Sequence, residues 1–138
     1  RPKLAVLAYP ATDATCSLPS HARLGSDYFL TRENIEWYYG HYLPDRELRK
    51  NADASPLFAD DPSGAPKTLV VVAAFDPLLD EGLAYAQRLR DHGVAVEIDE
   101  LGDMVHGFLL MTGACPAARA RAQRLAERIG AELRSHDG

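Results

Sequence analysis

Seven consecutive apolar residues, LVVVAAF at positions 69–75, lie near the middle of this 138-residue chain and end at Asp76-Pro77. An apolar run of this length, rich in β-branched residues and bounded by a turn, is typical of a strand buried on both faces of a parallel sheet. Two further runs have a similar character, at positions 4–9 and 94–98, and the second alternates enough to lie near a sheet edge. The sequence therefore predicts three mostly parallel strands.

Helical patterns separate and follow these strands. Thr31 is a predicted N-cap for a helix that Pro44 stops, and a second helix is predicted from Pro77 to Gly93. A third begins at Pro116 and is predicted to present a stripe of apolar side chains to the sheet: Ala118, Ala122, Leu125, Ile129 and Leu133. Strands that alternate with helices indicate an α/β fold, in which helices pack on a parallel sheet.

Composition narrows the class of protein further. Hydrophobic residues make up 46% and charged residues 25% of the chain, which is an ordinary globular balance and suits one domain. The net charge of −5 argues against a nucleic-acid partner, and no run of about eighteen apolar residues predicts a membrane span. Cys16 and Cys115 lack metal-ligand spacing, so we expect buried or incidental thiols in a cytoplasmic protein, with a disulfide between them left open.

Two side chains are predicted to meet at one edge of this sheet. Asp76 follows the strand predicted at 69–75, and His106 lies in a predicted loop at 102–107 after the third strand. Ligands of open α/β sheets gather at the carboxyl ends of the strands, where these loops would be neighbours. A carboxylate beside an imidazole fixes the tautomer of the ring and stabilises the imidazolium formed during proton transfer. The alternative for Asp76 is a simple helix cap, and the alternative for His106 is a solvated loop residue.

The residues around both positions resemble a known family. The segment FDPLLDEG, which contains Asp76, resembles the acid motif of hormone-sensitive-lipase-like esterases, and MVHGF, which contains His106, resembles their histidine motif. The stretch that begins at Ser55-Pro56-Leu57, the helix with Ala84-Tyr85-Ala86 and the strand ending in Tyr9-Pro10 are also similar to this family. Leu79 departs from it, since the family often has arginine there.

This resemblance implies an α/β-hydrolase that cleaves carboxylic esters of small to medium acyl groups without a cofactor or a metal. It implies that Asp76 is the acid and His106 the base of a catalytic triad whose order along the chain is serine, acid, histidine. The whole chain, residues 1–138, would then be the carboxy-terminal portion of one α/β-hydrolase domain, with residues 11–67 forming a loop and helix region close to a cap.

The nucleophile of that family is not recognisable in these residues. Neither a GxSxG elbow nor an HGGG loop is present, and Gly25-Ser26, the nearest approach, has no preceding strand and no second glycine. We therefore predict that the chain is the carboxy-terminal part of a longer enzyme and that alone it is inactive. The alternatives are a non-catalytic α/β module for binding or assembly, and a segment that joins a separate amino-terminal chain. Exposed strand edges recruit other chains, so we also expect self-association.

The remaining candidates receive structural interpretations. Four histidines without partners at ligand spacing are predicted to be surface residues: His21, His41, His92 and His136. Trp37, Tyr38 and Tyr42 form an aromatic face on the helix that Thr31 caps, interpreted as core or as packing against a cap, with a substrate-lining role as the alternative.

Overall fold

A parallel three-stranded sheet forms the centre of the protein in the computed structural model, which describes residues 2–134. The strands are β1 (Leu4–Ala8), β2 (Lys67–Phe75) and β3 (Val96–Val105), and their order across the sheet is β1-β2-β3. Both pairings are parallel, with Leu4 opposite Lys67 and Thr68 opposite Val96. The predicted α/β fold with a parallel sheet is confirmed.

The third strand is longer than the sequence predicts. Pairing with β2 is regular as far as Ala73 and Leu101, and it resumes where Phe75 lies opposite Val105. One residue of β2 therefore faces three of β3, which is a bulge, and within it Met104 turns back into the core with only 5% of its surface exposed. The predicted loop at 102–107 is wrong for residues 102–105, because the strand continues through this irregularity, and His106 and Gly107 form a turn directly at its end.

Helices cover both faces of the sheet. The helices are α1 (Ser20–Arg23), α2 (Arg32–Tyr42), α3 (Leu79–Asp91) and α4 (Pro116–Arg134), with short 3-10 turns at Arg46–Lys50, Pro56–Phe58 and Phe108–Met111. One face of β2 packs with α4 through Ala118, Leu125 and Ile129. The other face packs with α3 through Leu79 and Ala86. Leu133, predicted to point inward, is 43% exposed because it lies in the last turn of α4, outside the core cluster that this helix joins.

The segment between β1 and β2 carries the second helix. Thr31 caps α2 as predicted: its hydroxyl accepts a hydrogen bond from the Asn34 amide at 3.2 Å, and the Asn34 side chain accepts from the Thr31 amide. The long connection after α2 is held by buried Ser55, whose hydroxyl accepts from the Ala14 amide and donates to the Arg49 carbonyl. Within residues 2–134, no helix is long and apolar enough to cross a bilayer. His136, one of the predicted surface histidines, lies outside the described residues.

Candidate active site

Asp76 occupies the first position after the central strand. Pro77 follows it and leads into α3, and the Asp76 side chain is only 1% exposed. Its Oδ1 accepts a hydrogen bond from the Leu78 amide at 2.8 Å, and its Oδ2 contacts His106 Nδ1 at 2.9 Å. A buried carboxylate is costly unless its oxygens are hydrogen-bonded, and here each oxygen has a partner. The backbone bond fixes one oxygen and thereby aims the other at the imidazole.

His106 comes from the end of the neighbouring strand. Its side chain keeps 21% of its surface exposed, and Nδ1 donates to Asp76 because the ionised carboxylate can only accept. Gly107 has a φ of +73°, a left-handed conformation, and a Cβ atom there would lie 3.4 Å from the Phe29 ring. Glycine thus lets the chain turn sharply after the histidine, and the next residue, Phe108, is buried in the core at 1% exposure.

Tyr9 is a third member of the site that the sequence interpretation did not assign. It follows β1 with a φ of +40°, which is strained for a residue with a side chain, and its amide donates to the Val71 carbonyl at 2.7 Å. This conformation places its ring 4.6 Å from the His106 ring and 5.7 Å from Phe108, edge to face. Burial, with a smaller contribution from the charge of Asp76, raises the pKa of the Tyr9 phenol, so it stays neutral. Its only signal in the sequence is the Tyr-Pro at the strand end.

A cavity of about 450 Å³ adjoins the imidazole. His106 and Tyr9 line one side, and the other lining residues are apolar or phenolic: Ala8, Pro10, Ala11, Leu30, Ile35, Tyr38, Tyr39 and Leu78. Apolar cavities of this size with a few polar groups are the usual form of small-molecule sites. The walls come from the end of β1, from α2 and from the start of α3. The cavity therefore lies between His106 and the segment that connects β1 with β2.

The three residues of the predicted aromatic face of α2 have different surroundings in the structure. Tyr38 lines the cavity, where the substrate-lining alternative stays a prediction, whereas Trp37 and Tyr42 do not line it. All three are largely exposed, at 60%, 60% and 70% respectively, so the interpretation as core residues is wrong for the described part of the chain. The side of α2 that packs inward instead carries Ile35 and Tyr39.

The prediction that His21 is a surface residue is wrong. It is 1% exposed, and its Nε2 lies 3.1 Å from Oε2 of Glu81, which is fully buried. Glu81 lies in the first turn of α3, and its Oε1 also accepts a hydrogen bond from the Thr12 amide. His21 is drawn inside because a buried carboxylate needs donors. By contrast, His41 is exposed, as predicted, and His92 is partly exposed.

The loop beside the cavity wall contains a third buried carboxylate, Asp13. It accepts hydrogen bonds from the amide and hydroxyl of Thr15 and from the hydroxyl of Ser17. Burial opposes its ionisation, but these bonds together outweigh burial and hold the pKa of Asp13 below its ordinary 3.8. A depressed pKa in the folded state means that Asp13 stabilises the fold above about pH 4, and that this stability is lost as the pH falls through the folded pKa.

Replacing Asp13 by asparagine is therefore expected to lower the free energy of unfolding at pH 7 and to flatten its decline between about pH 5 and pH 3. Urea denaturation across that range measures both effects. Asp27→Asn is the matched control, because Asp27 is exposed and its carboxylate accepts a hydrogen bond from the hydroxyl of neighbouring Ser26. An Asp13→Asn variant with the pH dependence of the unmodified chain would contradict this reading.

The described residues of the site can orient an imidazole and transfer a proton through it, but they do not supply a nucleophile. Asp76 and His106 form a carboxylate–imidazole pair, yet no described serine or cysteine hydrogen-bonds to His106. Cys16 is a buried free thiol, Cys115 is free and half-buried, and burial raises the pKa of Cys16 to about 12. Within residues 2–134, no group of three or more His, Cys, Asp or Glu side chains could hold a metal ion.

Comparison with known proteins identifies the relatives of this chain. The family model of the alpha/beta hydrolase fold matches residues 1–110. The carboxylic ester hydrolase LipN of Mycobacterium tuberculosis is 42% identical over 109 residues, which are 78% of this chain and 29% of LipN. The ethyl acetate hydrolase of Pseudomonas putida is 39% identical over 110 residues, 80% of this chain and 35% of that enzyme.

Solved structures agree with these sequence matches. The carboxyl esterase 2 of the fungus Tuber melanosporum superposes with a TM-score of 0.85 at 31% identity, covering 95% of this chain and 44% of that one. The thermostable carboxylesterase EstE1, cloned from a metagenomic library, gives a TM-score of 0.86 at 33% identity over 95% of this chain and 45% of its own. The chain thus spans about a third of the length of its sequence relatives and under half of these structures.

Proposed function

Because this chain belongs to the hormone-sensitive-lipase-like carboxylesterase family of the α/β-hydrolase fold, we propose that it supplies the acid and the base of a serine ester hydrolase. Asp76 is the acid and His106 is the base. The observation that carries the proposal is the 2.9 Å bond between His106 Nδ1 and the buried Asp76 carboxylate. The serine nucleophile and the oxyanion donors come from polypeptide outside these 138 residues.

In this reaction the carboxylate keeps the proton of His106 on Nδ1, which leaves Nε2 unprotonated as a general base. Nε2 takes the proton of the serine hydroxyl as the serine oxygen attacks the ester carbonyl carbon. The imidazolium, stabilised by Asp76, then protonates the departing alcohol and leaves an acyl-serine. In the second half, His106 activates water in the same way, and the carboxylic acid leaves with the serine regenerated.

The proposed substrates are esters with small to medium acyl groups. A largely apolar cavity of about 450 Å³ beside His106 supports this, since it would favour short hydrocarbon chains over charged groups. The reaction as written needs neither a cofactor nor a metal, because each proton and each bond is handled by the triad and the substrate. Residues 11–67 contribute part of the cavity wall, which supports assigning them to a region close to a cap within one hydrolase domain.

The test uses a hybrid esterase, which joins the part of the Pseudomonas putida ethyl acetate hydrolase that precedes its matched region to this chain. We expect the hybrid to hydrolyse p-nitrophenyl butyrate. The 138-residue chain alone is expected to be no faster than free imidazole, because it lacks a nucleophile elbow and oxyanion donors. A hybrid that unfolds cooperatively yet lacks turnover, or a chain that is active alone and loses that activity on His106→Ala, would contradict the proposal.

A non-catalytic assembly module is the second candidate, favoured by the sheet edge. Along β1, the side chains of Leu4–Ala8 are only half-buried, and among the described strands β1 pairs with β2 alone. An unpaired edge is a template for another chain, and in this candidate the other chain is a second copy. Light scattering of the isolated chain distinguishes the cases: a concentration-dependent mass supports self-association, and a monodisperse monomer counts against it.

A further inference from the structure

Glu81, in the first turn of α3 just after the loop that carries Asp76 (the acid loop), forms a buried pair with His21 of α1, in the segment after β1. The two side chains are 0% and 1% exposed, and His21 Nε2 lies 3.1 Å from Glu81 Oε2. Thr12 joins them twice: its amide donates to Glu81 Oε1, and its hydroxyl donates to the Glu81 carbonyl, each at 2.9 Å. We call Thr12, His21 and Glu81 the acid-loop clamp.

The protons of the clamp can be assigned from its contacts. Nδ1 of His21 is buried without a hydrogen-bond partner among the described residues. An unpaired lone pair on neutral imidazole costs less than an unpaired N–H on a buried imidazolium, so Nε2 carries the proton and donates it to Glu81. Burial raises the pKa of Glu81, and the bonds from His21 and Thr12 oppose that rise. Each carboxylate oxygen of Glu81 has its own partner, the Thr12 amide for Oε1 and His21 Nε2 for Oε2.

The clamp connects the two segments that carry the site. Thr12 follows Tyr9, Pro10 and Ala11, which all line the cavity, and Glu81 lies in the first turn of α3, which begins just after Asp76. A Cβ atom at Gly82 would lie 2.8 Å from Val72 Cγ1 and 3.6 Å from Pro10 Cδ. The start of α3 is thus pressed against both β2 and the cavity wall, at the residue next to Glu81.

A second set of bonds joins the same segments at Ser20 and Asp80. The Ser20 amide donates to Asp80 Oδ2 at 2.8 Å, and the Ser20 hydroxyl donates to the Pro77 carbonyl at 2.6 Å. The Ser20–Pro77 bond is buried like the clamp, whereas the Ser20–Asp80 bond is only partly buried. Ion pairs and polar networks in the interior often add little stability compared with apolar packing, but they admit few alternative arrangements.

We propose that Glu81, acting through Thr12 and His21, is a positioning residue that holds the Asp76 loop and the Tyr9–Ala11 cavity wall in one fixed relation, and so sets the Asp76–His106 hydrogen bond. Its catalytic meaning rests on the proposed function. The hydrogen bond itself can be observed without any turnover.

The experiment follows the Nδ1 proton of His106 by NMR in the 138-residue chain. An imidazole proton held by a buried carboxylate resonates far downfield and exchanges slowly with water. Glu81→Ala should broaden this signal or speed its exchange by at least about tenfold. Glu81→Gln keeps an acceptor for the Thr12 amide but turns its NH₂ group toward His21, so it should restore only the part of the protection that depends on Thr12. Leu89→Ala, a 1% exposed core position in the same helix, is the matched control for lost stability and should keep the signal.

The NMR results test the positioning role of Glu81 and the Asp76–His106 pair separately. A Glu81→Ala variant with an unchanged His106 proton would overturn the positioning role, and so would a Leu89→Ala variant that loses the proton equally. In the hybrid esterase, the positioning role predicts that Glu81→Ala lowers kcat more than it raises KM. Absence of the downfield proton in the unmodified chain would count against the Asp76–His106 pair itself, and hence against the proposed function.

Discussion

Replacing Asp76 by asparagine in the hybrid esterase is expected to lower kcat by about 10⁴-fold. The Asp76 carboxylate accepts from the Leu78 amide with one oxygen and from His106 Nδ1 with the other. An asparagine that keeps the Leu78 bond would point its NH₂ group at His106, and Nδ1 would have to accept. The ring proton would then sit on Nε2, where it blocks the removal of the serine proton. Initial rates with p-nitrophenyl butyrate measure the loss.

The matched control for this variant is Asp103→Asn. Asp103 lies three residues before His106 but is exposed and bonds to Arg121 on α4. We expect its kcat to stay within about twofold of the unmodified hybrid, since exposed ion pairs contribute little. If Asp76→Asn retained more than a tenth of the activity, the tautomer role assigned to Asp76 would be wrong.

Truncating Phe108 to alanine is expected to lower the free energy of unfolding by roughly 3–5 kcal/mol. Phe108 is 1% exposed and packs in the core cluster with Leu101, Met104 and Leu125, and its ring meets Tyr9 edge to face. The deleted ring would leave a cavity directly under the turn that carries His106. Chemical denaturation of the 138-residue chain measures the change.

Leu110→Ala is the control in the same 3-10 turn. Leu110 is 83% exposed, so its truncation should change stability by no more than about 0.5 kcal/mol. Equal losses for the two variants would show that the whole turn contributes to the fold independently of the buried ring. That result would contradict the place of Phe108 in the core.

The sheet was predictable from the sequence because its strands are continuous apolar runs, and parallel strands must be covered on both faces. The extent of β3 was not, because Gly102 and Asp103 are typical of a loop. In the structure they lie in a bulge after which pairing with β2 resumes at Val105. Local sequence patterns do not show whether a polar interruption ends a strand or only bulges it, since the partner strand decides this.

The two motifs of the site could be predicted from the sequence, but the side chains that pack around them could not. Asp76 and His106 each follow an apolar strand, so topology alone brings them near each other. His21 and Tyr9 could not be placed in this way. The burial of His21 depends on Glu81, sixty residues away along the chain, and the contact of Tyr9 with His106 depends on a positive φ that no residue pattern around it requires.

The most direct measurement of the central claim is the hydrolysis of p-nitrophenyl butyrate by the hybrid esterase with His106→Ala, compared with His92→Ala. His92 lies at the carboxyl end of α3, where its ring contacts the Arg88 carbonyl. We expect His106→Ala to reduce kcat by about 10⁴-fold or more, to the residual rate of an esterase without its base, and His92→Ala to remain near the unmodified rate. A folded His106→Ala hybrid that turns over as fast as its His92→Ala counterpart would contradict the assignment of this chain as the source of the catalytic base.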